Sequence, residues 1–364
     1  MRIGIIADVL DNQNAGIYTY LRGLLDNLYK IDTDNHYILI RSSHHKEYPK
    51  WNEICVPLHR LVPFHLRLRQ LTSIPKELIK QKVDVVFEPA HFGPYNLPDH
   101  IKRITMIHDL TPILFPQYHD WISTIIHKLV LRKTLTNADA LIVNSQNTRN
   151  DVIAYHSETK SKISILYPGS NGKTEKVSNK DILSKYTIKN EYILFVGTRE
   201  PRKNLVTLVR TFEKIYATNN KIDLVIVGKK GWKNTELEKT ISTSPAKENI
   251  IQTGYVNDID LPTLYSMATL FVYPSSYEGF GLPILEAMKY GAPVVVAKNS
   301  SLPEVGGEAA EYFTTEEELH QVLLDLINDK PKLEQMRIQG LRQANKFDWR
   351  STASKFLKIV NNLG

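Results

Sequence analysis

The sequence predicts an α/β protein built from two doubly wound domains. Short Ile/Val-rich runs recur along the chain, and they are apolar nearly throughout rather than alternating. Such runs read as strands covered on both faces of a parallel sheet. Longer helical patterns separate them, and strand–helix alternation places helices on both sides of the sheet. At 364 residues the chain is also too long for one ordinary domain.

In the first half the strand runs are Ile3–Asp8, Tyr37–Arg41, Asp84–Pro89, Ile104–Asp109 and Ala140–Ser145. In the second they are Tyr192–Gly197, Leu224–Gly228, Ile250–Gly254, Leu270–Pro274 and Pro293–Ala297. Ile17, Leu21, Leu24, Leu25 and Leu28 make one apolar helical stripe, and Leu205, Leu208, Val209, Phe212, Ile215 and Tyr216 another. Turn chemistry at Pro168-Gly169-Ser170-Asn171-Gly172-Lys173, followed by a polar stretch to Asn190, marks the boundary. Residues 1–168 then form the first domain and 169–346 the second. In the last segment, 347–364, Asp348 is an N-cap candidate, and Trp349, Ala353, Phe356, Leu357 and Val360 follow at helical spacing. Ligands of such sheets bind outside the carboxyl ends of the strands, so a cleft between the domains is the expected site.

A composition of 42% hydrophobic and 23% charged residues excludes a disordered or fibrous chain. No apolar run reaches the roughly 18 residues of a membrane span. The segment Met1–Ala7 lacks the apolar stretch of a secretory signal. Cys55 is the single cysteine, which excludes an internal disulfide and a cysteine-based zinc cluster. A reducing, cytoplasmic setting is expected.

The net charge of +7 sits mostly in the first half, with 24 Lys/Arg against 18 Asp/Glu in residues 1–185 and 22 against 21 beyond. This suits an acidic partner there, or is a chance imbalance of a solvated surface. The stretch His59–Lys82 is amphipathic and basic, with Arg60, Arg67, Arg69, Lys76, Lys80 and Lys82 against Glu77. It reads as a surface for docking on an anionic membrane or as an ordinary surface helix. Nucleic acid is disfavoured as a partner, because no basic stripe is interleaved with stacking aromatics.

Two loops carry most of the chemistry. The first is Gly197-Thr198-Arg199-Glu200-Pro201-Arg202-Lys203-Asn204. It sets Arg199, Arg202 and Lys203 at a helix start, where free amides and the helix dipole already favour an anion. Cations there are unfavourable unless something negative binds, so a phosphate or pyrophosphate site is expected; the bland alternative is a solvated basic loop. The second is Ser276-Tyr277-Glu278-Gly279-Phe280-Gly281-Leu282-Pro283, running into a helix that carries Glu286. Its glycines let backbone approach a ligand, and carboxylates accept strong hydrogen bonds from sugar hydroxyls. Glu286 also reads as an acid placed for the helix dipole.

In the first half, Asn14-Ala15-Gly16-Ile17 precedes a helix but is not the G-x-G-x-x-G dinucleotide fingerprint. His108 and Asp109 end a buried strand and aim at the expected cleft, His108 as hydrogen-bond or acid/base group or as a core histidine. His91-Phe92-Gly93-Pro94-Tyr95 is a candidate acceptor-side loop. The triplets Asp32-Thr33-Asp34 and Asp258-Ile259-Asp260 read as a turn and a helix cap, respectively, ahead of metal ligands.

Together these residues resemble the retaining glycosyltransferases of family four, with the GT-B fold of two facing Rossmann-like domains. The resemblance spans nearly the whole chain. Glu278 to Glu286 matches the family's E-x(7)-E motif, Gly197 to Lys203 its G-x(5)-K loop, and His108-Asp109 and the terminal helix follow the expected order. It implies that Glu286 binds the ribose of a nucleotide-sugar, and that Glu278 and His108 stand at the reacting centre. Arg202 and Lys203 would hold the diphosphate, with Gly16 approaching from the first domain. Phe280, Gly281 and Leu282 would meet the donor sugar, and Tyr255 and Val256 the nucleobase. Many members carry Arg directly after the strand glycine; here Thr198 stands there, and either Arg199 or Arg202 supplies the charge. No cofactor and no metal are implied. Retention is expected by same-face attack, with a covalent intermediate on Glu278 as the alternative.

Residues 108–116 and 197–204 look most like mannosyltransferases of bacterial surface polysaccharides, which implies GDP-mannose; UDP-sugar and deoxysugar donors stay open. The implied acceptor is a growing glycan, on a lipid diphosphate carrier at the inner membrane face. The rival readings are a nucleotide-sugar epimerase and a non-catalytic nucleotide-sugar-binding partner.

Overall fold

Each of the ten apolar runs becomes a strand in the computed structural model, which describes all residues except 13–14, 46, 59–67, 95, 120 and 171–177. Asn14, Tyr95, the stretch from His59 to Arg67 and the turn residues Asn171 to Lys173 therefore lie outside the described residues. The chain divides into one unit of Met1–Gly169 with Asp348–Gly364 and a second of Ser170–Phe347.

In the first unit the described strands are β1 (Arg2–Ile6), β2 (His36–Arg41), β3 (Asn52–Cys55), β4 (Val85–Glu88), β5 (Lys102–Ile107), β6 (Ala140–Val143) and β7 (Ile163–Ile165). They form a parallel sheet in the order β3-β2-β1-β4-β5-β6-β7. The second unit holds β8 (Glu191–Val196), β9 (Ile222–Val227), β10 (Ile250–Gly254), β11 (Leu270–Tyr273), β12 (Val294–Ala297) and β13 (Ala310–Phe313), in the parallel order β10-β9-β8-β11-β12-β13.

Burial on both faces explains the continuous runs. In β2, Leu39 and Tyr37 join the core containing Ile3, Ile5 and Leu21, whereas Ile38 and Ile40 join a second core on the opposite face with Ile74 and Leu78. The helix Ala15–Ile31 covers the first face with Leu21, Leu24, Leu25 and Leu28, all fully buried. Onto it packs the terminal helix Trp349–Asn361. Asp348 caps that helix by accepting the Ser351 amide at 2.8 Å. Trp349 fills the notch left by Gly23, where an added Cβ would overlap the indole. Burying Trp349, Phe356 and Val360 contributes about 1.5–3 kcal/mol for each large side chain.

In each sheet the strand order reverses, between β1 and β4 and between β8 and β11. At such a reversal the loops leaving the carboxyl ends of the strands ordinarily diverge and leave room for a ligand.

Candidate functional site

In the second unit the loops after β8 and β11 leave adjacent strands. The first passes through a helical turn at Pro201–Lys203 to Asn204, whose φ of 53° starts the helix Leu205–Tyr216. The second reaches Gly281, with φ 105°, and enters the helix Leu282–Lys289 with Pro283 in its first turn. Only glycine adopts that backbone conformation without strain. The Ser276 amide donates to the Arg202 carbonyl at 2.8 Å and ties the loops together.

This tie brings four charged side chains into one network. Lys203 Nζ stands 2.6 Å from Glu278 Oε1 and donates to the Tyr273 hydroxyl at 2.8 Å. Arg202 Nη1 is 2.8 Å from Glu278 Oε2 and donates to the Tyr277 carbonyl at 2.6 Å. Its Nη2 donates to Glu200 at 2.6 Å. Glu200, Lys203 and Glu278 are buried. Burial alone raises the Glu278 pKa, but Arg202 and Lys203 overcome it and hold the carboxyl at about 2. Burial lowers the Lys203 pKa, and Glu278 opposes that shift. Ser301 Oγ donates to the Glu278 and Phe280 carbonyls at 2.9 and 2.8 Å, which fixes the loop backbone.

Glu286 lies in the second turn of its helix and is half-buried. Burial pushes its pKa up to about 7; Asp258 adds to the rise and the Tyr265 hydroxyl, donating at 3.0 Å, opposes it. Glu286 stands beyond the first turn of its helix, where the dipole acts most strongly.

The other second-unit candidates divide. Arg199 turns away from the network: its guanidinium bonds Gln252 on β10 and lies 3.7 Å from Glu238. Between the two candidates for the missing charge, Arg202 is thus the one beside Glu278. The Phe280 ring is buried edge-on to Phe347, so only its backbone is placed to meet a ligand. Leu282 opens the helix. Val256 is buried after β10, while Tyr255 is 57% exposed with the Lys229 ammonium 4.9 Å from its ring centre. Glu200, the second partner of Arg202, escaped the sequence reading, although its place two residues before Arg202 was the available signal.

In the first unit His108 ends β5. Its ring Nε2 is 2.8 Å from the Pro89 carbonyl, which requires the proton on Nε2. Its amide donates to His91 Nε2 at 2.8 Å. Burial lowers the pKa of both rings, that of His91 to about 3 with His108 adding to the effect. His91 has φ 67° and stands beside His108 and His127. Asp109 accepts from the Thr111 amide at 2.9 Å and hydroxyl at 2.6 Å, and its charge also acts on His91 and His108. Gly16 is exposed near the start of its helix, and an added Cβ would meet nothing within 4 Å, so packing does not demand glycine there.

Both aspartate triplets are engaged locally. Asp32 accepts the Asp34 amide in a turn. Asp260 makes no cap bond, contrary to expectation; it accepts from Lys185 at 2.6 Å and Tyr186 at 2.8 Å. Among the described residues no group of three or more His, Cys, Asp or Glu is placed to hold a metal ion.

A charged network thus stands at the reversal of one parallel sheet and a histidine cluster at the carboxyl end of the other. Residues 16–171 match Glycosyltransferase Family 4 and residues 179–343 match Glycosyl transferases group 1. The chain is 31% identical over 291 residues to O-antigen chain mannosyltransferase B of Escherichia coli, covering 75% of this chain and 74% of that protein. It is 28% identical over 268 residues to the serotype-specific mannosyltransferase WbdA of Escherichia coli, covering 69% of this chain but 32% of WbdA. The fold is that of the sucrose-phosphate synthase from Thermosynechococcus elongatus (TM-score 0.78, 18% identity, 100% of this chain and 99% of that one). WaaG, a glycosyltransferase involved in lipopolysaccharide biosynthesis, is also similar (TM-score 0.74, 15% identity, 99% of each chain). The chain belongs to the family 4 glycosyltransferases and is an enzyme of that class.

Proposed function

We propose that this glycosyltransferase moves mannose from GDP-mannose, with retention and without a divalent metal, to a growing surface glycan or lipid-linked oligosaccharide. The single observation behind the donor site is the convergence of Arg202, Lys203 and Glu278 where the second sheet reverses. With no donor, Glu278 and Glu200 together neutralise both cations. A diphosphate brings its own negative charge to Arg202 and Lys203. As the bond from anomeric carbon to diphosphate breaks, its electron pair moves onto the leaving oxygen. Fixed cations and the helix-end amides at Leu282 stabilise that charge most in the transition state. This is the work a bound metal would otherwise do.

With a pKa of about 2, Glu278 is ionised at neutral pH and cannot act as an acid. It serves as a fixed negative charge beside the oxocarbenium-like carbon. Both its oxygens face cations, which blunts its nucleophilicity and favours same-face attack over a covalent adduct. The acceptor hydroxyl then passes its proton to the departing diphosphate. Neutral His108 orients a sugar hydroxyl, Glu286 accepts from the ribose hydroxyls, and Tyr255 and Val256 take the base. Gly16 would approach the diphosphate from the first unit, which takes the acceptor. Mannose as the sugar rests on the likeness to the O-antigen mannosyltransferases. The enzyme would work in the cytoplasm, at the inner membrane face where a lipid-diphosphate acceptor is held.

Calorimetric titration with GDP-mannose, GDP, UDP-glucose and UDP-N-acetylglucosamine, with chelator and then with Mg²⁺, tests this reading. Metal-independent binding selective for the guanosine ligands is expected. Preference for a uridine ligand would discard mannose, and turnover of a free donor to its epimer without acceptor would discard transfer.

A further inference from the structure

We propose that the first unit docks on an anionic lipid surface through the helix Trp121–Asn137. This helix is apolar on two opposite faces. One face, with Leu131 and Leu135, is buried against Phe92, Ile107 and Leu141. The other holds Trp121, 72% exposed, and Leu129, 75% exposed, with Ile122 and Ile125 also in solvent. At 3.6 residues per turn these four side chains fall on one arc. Leu114, exposed on the neighbouring helix Thr111–Leu114, extends it. A helix with apolar residues all round is ordinarily buried all round, and an exposed apolar patch of this kind marks an interaction surface.

Charge decides the occupant. Lys128, Arg132 and Lys133 are exposed on the same arc, and residues 121–137 include no Asp or Glu. A second copy of the face would set three cations against three cations. An anionic lipid surface pairs them, while Trp121 and the aliphatic side chains enter the headgroup boundary, where tryptophan is favoured.

The stretch 59–82 is a separate candidate for such a surface, and its residues 59–67 lie outside the described residues. There Arg69 is buried and forms a bidentate pair with Asp8. Lys80 is 3.3 Å from Glu77, and exposed Leu68, Leu71 and Ile79 remain beside Lys76 and Lys82.

The test is flotation of the full chain with vesicles of equal parts phosphatidylcholine and phosphatidylglycerol, and with phosphatidylcholine alone. The protein is expected to float only with the anionic vesicles at low salt. Trp121→Ser with Leu129→Ser should lower the bound fraction about tenfold. Lys128→Gln, Arg132→Gln and Lys133→Gln together should remove the dependence on phosphatidylglycerol. Lys76→Gln with Lys80→Gln should leave flotation unchanged. Nucleotide binding, measured alongside, should be unaltered in all variants; this shows that they fold and separates the outcome from that of the donor site. Equal flotation of wild type and the Trp121/Leu129 variant, no flotation of the wild type, or a change from dimer to monomer on sedimentation of that variant would each overturn the proposal.

Discussion

The two sheets share their strand order through six strands, yet their carboxyl ends carry opposite chemistry. After β8 and β11 stand full charges that neutralise one another: Lys203 and Arg202 against Glu278 and Glu200. After β4 and β5 stand imidazoles that burial keeps neutral: His91 and His108. Topology decides where a site forms, and side chains decide what it binds. A charged network suits a diphosphate, and a neutral, hydrogen-bonding cluster suits sugar hydroxyls.

The comparison breaks most visibly at Glu278. Glu278→Ala leaves Arg202 and Lys203 confronting each other in a buried site. Urea unfolding should show a loss of about 3–5 kcal/mol, and transfer should disappear. Because the folded pKa of Glu278 lies below its ordinary value, its contribution is complete above about pH 4.5 and is lost as pH falls toward about 2. Glu278→Gln should therefore flatten the acid limb of the stability curve; an unchanged acid limb would mean that the network does not hold the carboxylate.

The neutral side is expected to be less costly to disturb. His91→Ala removes the acceptor for the His108 amide, and about 1–3 kcal/mol of stability should go with it. Burial lowers both pKa values, that of His91 to about 3, so His91 stays neutral from pH 5 to 8 and His108 titrates below the ordinary imidazole value. An imidazole carbon resonance of either that titrates near pH 6.5 in NMR spectra would contradict the neutral cluster.

Glu286 sharpens the contrast, since it is the one donor-site acid with a raised pKa. Its ionised form accepts ribose hydroxyls, so donor affinity should rise several-fold from pH 6 to 8. The sign for folding is opposite: the stability tied to its protonation is complete below about 4.5 and is lost as pH rises through about 7. Glu286→Gln should remove both dependences. The smallest effect belongs to Asp109→Ala, which deletes the acceptor of the Thr111 amide and should cost about 1 kcal/mol with kcat intact. A fall in kcat beyond the stability loss would show Asp109 acting through His108.

What the sequence made legible follows from burial. Nine strands are covered on both faces and advertise themselves as continuous apolar runs; β10, the tenth, lies at a sheet edge and is mostly half-buried. β3, β7 and β13 lie at sheet edges, are three or four residues long and are partly exposed, so their sequences carry no such run. Glu278 and Glu286 were readable because a strand end, two glycines and Pro283 fix their loop. The division between Arg199 and Arg202 was not, since three cations in one loop look alike until Gln252 claims the first. His91 was grouped with a loop, because nothing local announces its left-handed backbone or the amide it receives. The helix Trp121–Asn137 has two apolar faces and therefore no single stripe to recognise.

On the proposed mechanism Arg202 and Lys203 hold the diphosphate while Glu278 stays beside them. Calorimetric titration of GDP into the wild type and the Lys203→Ala variant, with chelator present, tests it most directly. The loss of one charge-assisted contact should weaken binding by about 1.5–3 kcal/mol. Equal affinity in a variant that remains folded would place the diphosphate elsewhere and contradict the account.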